Sequence, residues 1–167
     1  MDMTPVDSLP RPVLSVAMSV FNGDRFLAPA IASVLAQSFA EFEFLILDDG
    51  STDGTAAIIR QFAAADSRIR PIIRENCGLV VSLNQLLDEA RAPLVARMDA
   101  DDICEPQRFE RQLAFLAANP DHGVVGSWSV DIDQNGDRRQ IEGAHDPVTN
   151  DDFLHNIRHG GPLLCHP

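Results

Sequence analysis

From residue 13 onward the chain repeats one rhythm: a short continuous apolar run, a polar loop, then a stretch with apolar positions at helical spacing. The run Val13–Val20 (VLSVAMSV) predicts a buried strand. Asp24 is placed to cap a helix carrying Phe26, Ala30, Ile31, Val34 and Leu35 on one face. Pro29 cannot donate a backbone N–H, so this helix has an irregular first turn or begins its regular part near Ala28. Phe42–Leu47 (FEFLIL) predicts a second strand, running into Asp48-Asp49-Gly50-Ser51. Thr52 or Asp53 then caps a helix with Ala57, Ile58 and Phe62 inward. Ile69–Ile73 reads as a third, shorter strand, and Leu79–Ala90 as a helix with Leu79, Leu83, Leu86, Leu87 and Ala90 on its inner side. Leu94–Met98 is a fourth strand, ending at Asp99-Ala100-Asp101-Asp102. Pro106 at a first helical position opens a helix with Phe109, Leu113, Leu116 and Ala117. Gly123–Ile132 reads as a fifth strand, Pro147–Ile157 as a candidate helix, and His159–Pro167 as a Gly/Pro-rich loop that looks cut rather than finished.

Strands alternating with helices predict an α/β fold, a mostly parallel Rossmann-like sheet covered by helices on both faces. In such sheets a ligand sits outside the carboxyl ends of the strands. The loops Phe21-Asn22-Gly23, Asp48-Asp49-Gly50-Ser51 and Asp99-Ala100-Asp101-Asp102 are therefore expected to converge on one crevice.

Composition narrows the chemistry. The 167 residues suit one domain with a real core, and the 45% hydrophobic content argues against disorder. Twenty-five acidic against thirteen basic residues leave a net charge of −12, which disfavours nucleic acid and anionic lipid as partners. The same excess repels a phosphorylated substrate unless a cation sits between the two. Cys77, Cys104 and Cys165 are odd in number and lack C-x-x-C spacing, so neither a disulfide framework nor structural zinc is expected, and a reducing cytoplasm is the easier setting. Met1–Pro12 shows no signal pattern and reads as a flexible tail, and no apolar run reaches the length of a membrane span.

Asp99, Asp101 and Asp102 place three carboxylates within four residues at the end of an apolar strand, where they repel one another unless solvated or neutralised. Oxygen donors of this kind suit Mg2+ or Mn2+, which completes its shell with water and substrate phosphates; the alternative is an exposed acidic turn before the next helix. Asp48-Asp49-Gly50-Ser51-Thr52-Asp53 offers a strand-end carboxylate to a base or a ribose hydroxyl, or is only a junction rich in helix caps. In Val20-Phe21-Asn22-Gly23, Phe21 offers a ring for stacking on a nucleobase, although such a ring is more often core, and Asn22 is placed to hold the loop.

Taken in order, SVFNG, FEFLILDDGSTDGT, ENCGLVVSLNQLLDEA and PLVARMDADDICEPQRFERQLAFL resemble the family 2 glycosyltransferases of bacterial surface-polysaccharide synthesis, over residues 13–130. The resemblance implies a GT-A fold, a nucleotide-diphosphate-sugar donor with UDP favoured, a divalent metal (Mn2+ or Mg2+), and inversion at the anomeric carbon. It puts Phe21 against the base, Asp49 on the base's polar edge, and Ser19 and Val20 in supporting contacts, with Asn22 in the same loop. Asp99 would lie near the ribose or the metal, with Ala100 beside it. Asp101 would ligate the metal directly, and Asn84 would face the donor pocket. Asp99 and Asp101 are thus the implied catalytic and metal residues. Residues 13–130 become the donor-binding domain and 131–167 a hairpin and the start of an acceptor-side region. Gly161–Pro167 is similar to the family's segment ending in His-Pro, which puts His166 at the acceptor border. In the family the general base is an acidic residue well downstream of the metal motif, so the expectation is that it is absent from this chain. The acceptor would be a glycan or lipid-linked hydroxyl. The setting would be cytoplasmic, at the inner membrane face if a longer chain anchors it, with self-association through apolar surface left open.

Other motifs are weaker. Asp131–Glu142 fits the spacing of an EF-hand loop, but it follows a predicted strand, and Asn135-Gly136 is a hairpin signal. His155 and His159 have zinc-pair spacing without a third ligand, and Cys104 has no neighbouring His and reads as a core or rim thiol. No G-x-x-x-x-G-K-[ST] occurs, and no G-x-G-x-x-G follows the first strand, which excludes a P-loop ATPase and disfavours an NAD enzyme. The rival functions are a sugar-phosphate nucleotidyltransferase, for which the loop Phe21–Arg25 is too short and insufficiently basic, and a non-catalytic donor-binding or assembly module.

Overall fold

Two apolar runs in which nearly every side chain is buried form the middle of a four-stranded parallel sheet: β1 (Leu14–Val20) and β2 (Phe42–Asp49). Burial on both faces is what a continuous Val/Ile/Leu/Phe run requires, since an alternating strand would leave one face wet. β3 (Ile69–Arg74) and β4 (Leu94–Asp99) flank them in the order β3-β2-β1-β4. Pro71 sits in β3, an edge strand of this sheet, where a missing N–H is tolerated. The computed structural model describes residues 11–127, 129–133, 137 and 151; the tail before them, Asn135-Gly136, most of the 147–157 segment, His155, His159, Cys165 and His166 lie outside that set.

The chain divides into two units, residues 1–106 and 107–167. The first holds the sheet with α1 (Asp24–Leu35), α2 (Thr55–Ala65) and α3 (Leu79–Glu89). α2 packs against α1, β2 and β3, and α3 lies on β1 and β2. The pairing register gives the side chains of the α3 face, because residues paired across parallel strands point the same way and alternate along each strand. That face carries Ser15, Ala17 and Ser19 of β1, Glu43, Leu45, Leu47 and Asp49 of β2, Arg70, Ile72 and Arg74 of β3, and Val95, Arg97 and Asp99 of β4. Its apolar centre is Ala17, Leu45 and Leu47 against Leu86, with Ile72, Leu83 and Ala90 around them.

Polar clusters close both ends of this apolar centre. At the amino end the Ser15 hydroxyl and the Arg91 amide each donate to Glu43 Oε1 at 2.7 Å, and Arg70 donates to Glu43 Oε2 at 2.7 Å and to Glu89 Oε2 at 3.1 Å. Glu43 is 6% exposed, and a buried carboxylate is tolerated only with partners of this kind. Burial alone would raise its pKa; the bonds from Ser15, the Arg91 amide and Arg70 outweigh that and hold it below the ordinary Glu value.

The element types follow the sequence pattern, but several details are corrected. β2 runs through Asp48 and Asp49, and β4 ends on Asp99, so these acids belong to strands rather than loops. Gly23 and Gly54, not Asp24, Thr52 or Asp53, stand at the N-cap positions, although Asp53 Oδ1 does accept from the Thr55 amide at 3.0 Å. Pro29 lies inside a continuous α1 that starts at Asp24. The inner faces agree in part: Ala30, Ile31 and Val34 of α1 are buried as expected, joined by Leu27 while Phe26 is exposed, and Ile59 rather than Ala57 or Ile58 is fully buried in α2. In α3 the buried pair is Ser82 and Leu86, with Leu79 and Leu87 exposed.

In the second unit, α4 (Arg108–Ala118) begins after Gln107, with Pro106 outside it, and Phe109 is its buried residue. Among its described residues the predicted fifth strand is reduced to a single bridge at Ile132. Residues 123–127 and 129–131 have no strand structure, and Val124, Val130 and Ile132 are exposed. An apolar run becomes a strand only where a neighbour accepts its ladder bonds, and Gly123 and Gly126 weaken this one further.

Candidate active site

The strand order reverses between β1 and β4, since β2 and β3 extend the sheet to one side of β1 and β4 to the other. The carboxyl ends flanking such a reversal form the natural crevice of an open parallel sheet. Register brings Ser19 beside Asp99, Val20 beside Asp48, and Asp49 beside Arg74 at this end.

The loops after β1 and β2 are stitched together. Asn22 takes a left-handed backbone, φ 51°, which Asn tolerates better than most residues. Its amide donates to Ser51 Oγ at 2.8 Å, and its side-chain Oδ1 accepts from the Thr52 amide at 2.9 Å. The Gly23 amide donates to Thr55 Oγ1 at 2.9 Å, the Gly54 amide to Asp24 Oδ2 at 3.3 Å, and the Ser51 amide to Asp48 Oδ1 at 2.9 Å. The expected convergence of these two loops is therefore direct hydrogen bonding, and Asn22 does hold the loop. Phe21, immediately before the stitch, is left 55% exposed, so the core reading of that ring is set aside.

Asp49 is placed differently from its expected role. Its Oδ1 accepts from the Cys77 amide at 3.0 Å and pairs with Arg74 Nη2 at 2.9 Å, while Oδ2 accepts from the Gly78 amide at 2.8 Å. Asn76 donates to the Asp49 carbonyl at 2.8 Å, and Arg74 Nη2 also reaches Ser82 Oγ at 2.7 Å. At 3% exposure the carboxylate turns into the protein, so a polar-edge contact with a base is not offered in this geometry. Burial would raise its pKa; the Cys77 and Gly78 amides, Arg74 and Ser82 overcome that and hold it below the ordinary Asp value. Gly50, φ 80°, closes the same corner: a Cβ there would lie 2.6 Å from the Asn76 nitrogen.

At the end of β4, Asp99 pairs with Arg97 Nη2 at 2.9 Å through Oδ1, each side chain 31% exposed. Asp101 follows in an exposed turn, with Ala100 half-buried between. Among the described residues no group of three His, Cys, Asp or Glu side chains is gathered to hold a metal. The donor set is thus two carboxylates separated by one residue, Asp101 exposed and Asp99 part-exposed and paired with Arg97, which fits a hard cation that brings water and phosphate oxygens, and does not fit a closed protein cage. Ser19 is half-buried at the β1 end; Val20 is buried, so only its backbone faces a ligand. Asn84 is exposed on the side of α3 away from buried Ser82 and Leu86, and the structure does not join it to the other candidates. Cys104 is buried with its Sγ 3.3 Å from Met98 Sδ, a core thiol rather than a rim one.

Sequence reasoning passed over Arg74, Arg97 and Ser82. The first was legible, because Arg70, Ile72 and Arg74 alternate with period two beside the acids of β2.

A family model described as "Glycosyl transferase family 2" matches residues 15–163. The putative glycosyltransferase EpsE of Bacillus subtilis (strain 168) is 42% identical over 129 residues, covering 76% of this chain and 46% of that protein. The chain spans about half the length of the curated relatives it matches. Among solved structures, S. aureus TarS 1-349 in complex with UDP-GlcNAc is 24% identical with a TM-score of 0.60, covering 64% of this chain and 32% of that one. The mannosyltransferase PcManGT from Pyrobaculum calidifontis, in complex with GDP-Man and Mn2+, is 23% identical with a TM-score of 0.60, covering 69% and 36%. At these identities the two structures carry the fold.

Proposed function

This chain belongs to glycosyl transferase family 2, and on that premise we propose that residues 13–106 bind a nucleotide-diphosphate sugar for transfer to an acceptor hydroxyl with inversion. The observation that carries the reading is the pair Asp99 and Asp101, open at the carboxyl end of β4 beside the end of β1, where the strand order reverses. Phe21, exposed at the end of β1, stacks on the base. Asp49 acts on the base pocket indirectly, by fixing Cys77 and Gly78 at the start of α3. Ser19 and the Val20 backbone line the same end, and the part of Asn84 in the donor pocket rests on the motif resemblance alone. The motif resemblance favours bacterial surface-polysaccharide synthesis as the setting, and UDP over other nucleotides.

Asp101 and Asp99 would hold the Mn2+ or Mg2+ that the family implies; when bound, such a cation neutralises charge on the leaving diphosphate as a Lewis acid. The need for it follows from the net charge of −12, which otherwise repels the donor. The chain's own contribution is positional, since holding donor and acceptor in line removes much of the entropic barrier.

Thermal-shift titration with UDP- and GDP-sugars, with and without Mn2+, tests the assignment, paired with Asp101→Ala. The expected result is a metal-dependent response lost in D101A with the unliganded melting temperature unchanged. A response to nucleoside triphosphates alone would point to a nucleotidyltransferase, and metal-dependent binding surviving in D101A would remove Asp101 from the site.

A further inference from the structure

We propose that Arg97 is a counter-ion that changes partners: it pairs with Asp99 when the donor site is empty and turns to the donor's diphosphate when the site fills. The inference rests on the donor-site reading above and goes beyond it by adding a second, protein-borne cation. Arg97 and Asp99 are two residues apart on β4, so they share the α3 face, and the guanidinium reaches Asp99 Oδ1 at 2.9 Å. Both side chains are part-exposed, 31% each, so the ion pair borders solvent and an arriving anion can reach it. Asp101 and Asp102 follow within three residues of Asp99, so an empty site concentrates like charge that a fixed cation relieves.

Arg74, the other arginine at this end, is committed to Asp49 and Ser82 and is less exposed at 18%. Arg97 is the more exposed of the two, and so the one an arriving anion meets first. A guanidinium also matches phosphate oxygens with two parallel donors, which an ammonium does not.

The proposal has a crossed signature. A positive charge beside Asp99 opposes a divalent cation there but attracts a diphosphate. Arg97→Gln is expected to bind Mn2+ alone about fivefold more tightly, read by electron paramagnetic resonance of free Mn2+. The same variant is expected to bind UDP about tenfold more weakly at saturating Mn2+, read by calorimetry. Arg97→Lys keeps the charge without the fork, so it should retain the wild-type Mn2+ affinity and lose part of the UDP affinity. A merely structural role would weaken both ligands together, and that result, or no change in either, overturns the proposal. Equally, R97K matching R97Q in Mn2+ affinity would overturn it. Wild-type protein that binds Mn2+ but not UDP would instead overturn the donor-site reading itself.

Discussion

Asp49→Asn separates a carboxylate that reads a ligand from one that holds the fold. Asn is nearly isosteric, and one side-chain oxygen can still accept from Cys77 or meet Arg74. The other oxygen becomes an NH2 group facing the Gly78 amide, which now donates to Oδ2 at 2.8 Å. Two donors then point at each other, at a position 3% exposed. Losing one charge-assisted bond and stranding a buried donor costs roughly 3–5 kcal/mol. Arg74, at 18% side-chain exposure, can rehydrate in part, which favours the lower end. About 3 kcal/mol is a large share of the roughly 5–15 kcal/mol that holds a domain together, and corresponds to a melting-temperature drop on the order of 10 °C.

The sign with pH follows from the depressed pKa of Asp49. A carboxyl group that is more acidic folded than unfolded stabilises the protein above its ordinary range, and that contribution fades as pH falls through the folded value. Urea denaturation of wild type and D49N from pH 7 down to about pH 3 should show curves far apart at neutral pH that approach each other below about pH 4. If D49N loses less than about 1 kcal/mol at pH 7 while nucleotide binding collapses, Asp49 is a ligand contact and the clamp is refuted.

Two further substitutions probe the opposite ends of the sheet. Phe21→Ala should leave stability within about 0.5 kcal/mol, because the ring is 55% exposed, yet weaken UDP binding at saturating Mn2+ by about tenfold through lost stacking, measured by calorimetry. Glu43→Gln, at the amino end, should do the reverse: a loss of about 2–4 kcal/mol in urea at pH 7, shrinking as pH falls through the depressed folded pKa of Glu43, with UDP affinity unchanged.

The strands and helices of the first unit were legible because each apolar run is long enough to demand burial, and the loops between runs carry turn chemistry. Faces were less legible. Phe26 looked like an inner residue of α1, but Leu27 is the one buried with the expected Ala30, Ile31 and Val34. α3 was read in part: of Leu79, Leu83, Leu86, Leu87 and Ala90, Leu86 is buried with Leu83 and Ala90 beside it, but the helix also turns Ser82 inward, where the hydroxyl accepts from Arg74 at 2.7 Å and donates to the Gly78 carbonyl at 2.9 Å. No hydrophobic periodicity reports polar contacts of this kind. The partners of Asp49 were out of reach for a further reason, since Arg74, Cys77 and Gly78 lie 25 or more residues away. Asn22 was readable because holding a turn is a local property, whereas the exposure of the Phe21 ring, by itself more often a core position, came only with the structure.

The arginines of the α3 face connect these observations. Arg70, Arg74 and Arg97 each meet a carboxylate: Glu43 and Glu89, Asp49, and Asp99 respectively. Arg70 and Arg74 come from one edge strand and fix α3 at its end and its start, so the helix that borders the donor crevice is held by ion pairs against a small apolar centre. Their charge is consumed in that work and is unavailable to an anion arriving from solvent. On the proposed donor-site reading, an acidic chain built this way would not draw in a diphosphate by surface charge; it would rely on a divalent cation at Asp101 and on an arginine that can turn to the donor. Arg97, shallow and paired with the very carboxylate that a cation would engage, is the one whose release is driven by filling the site.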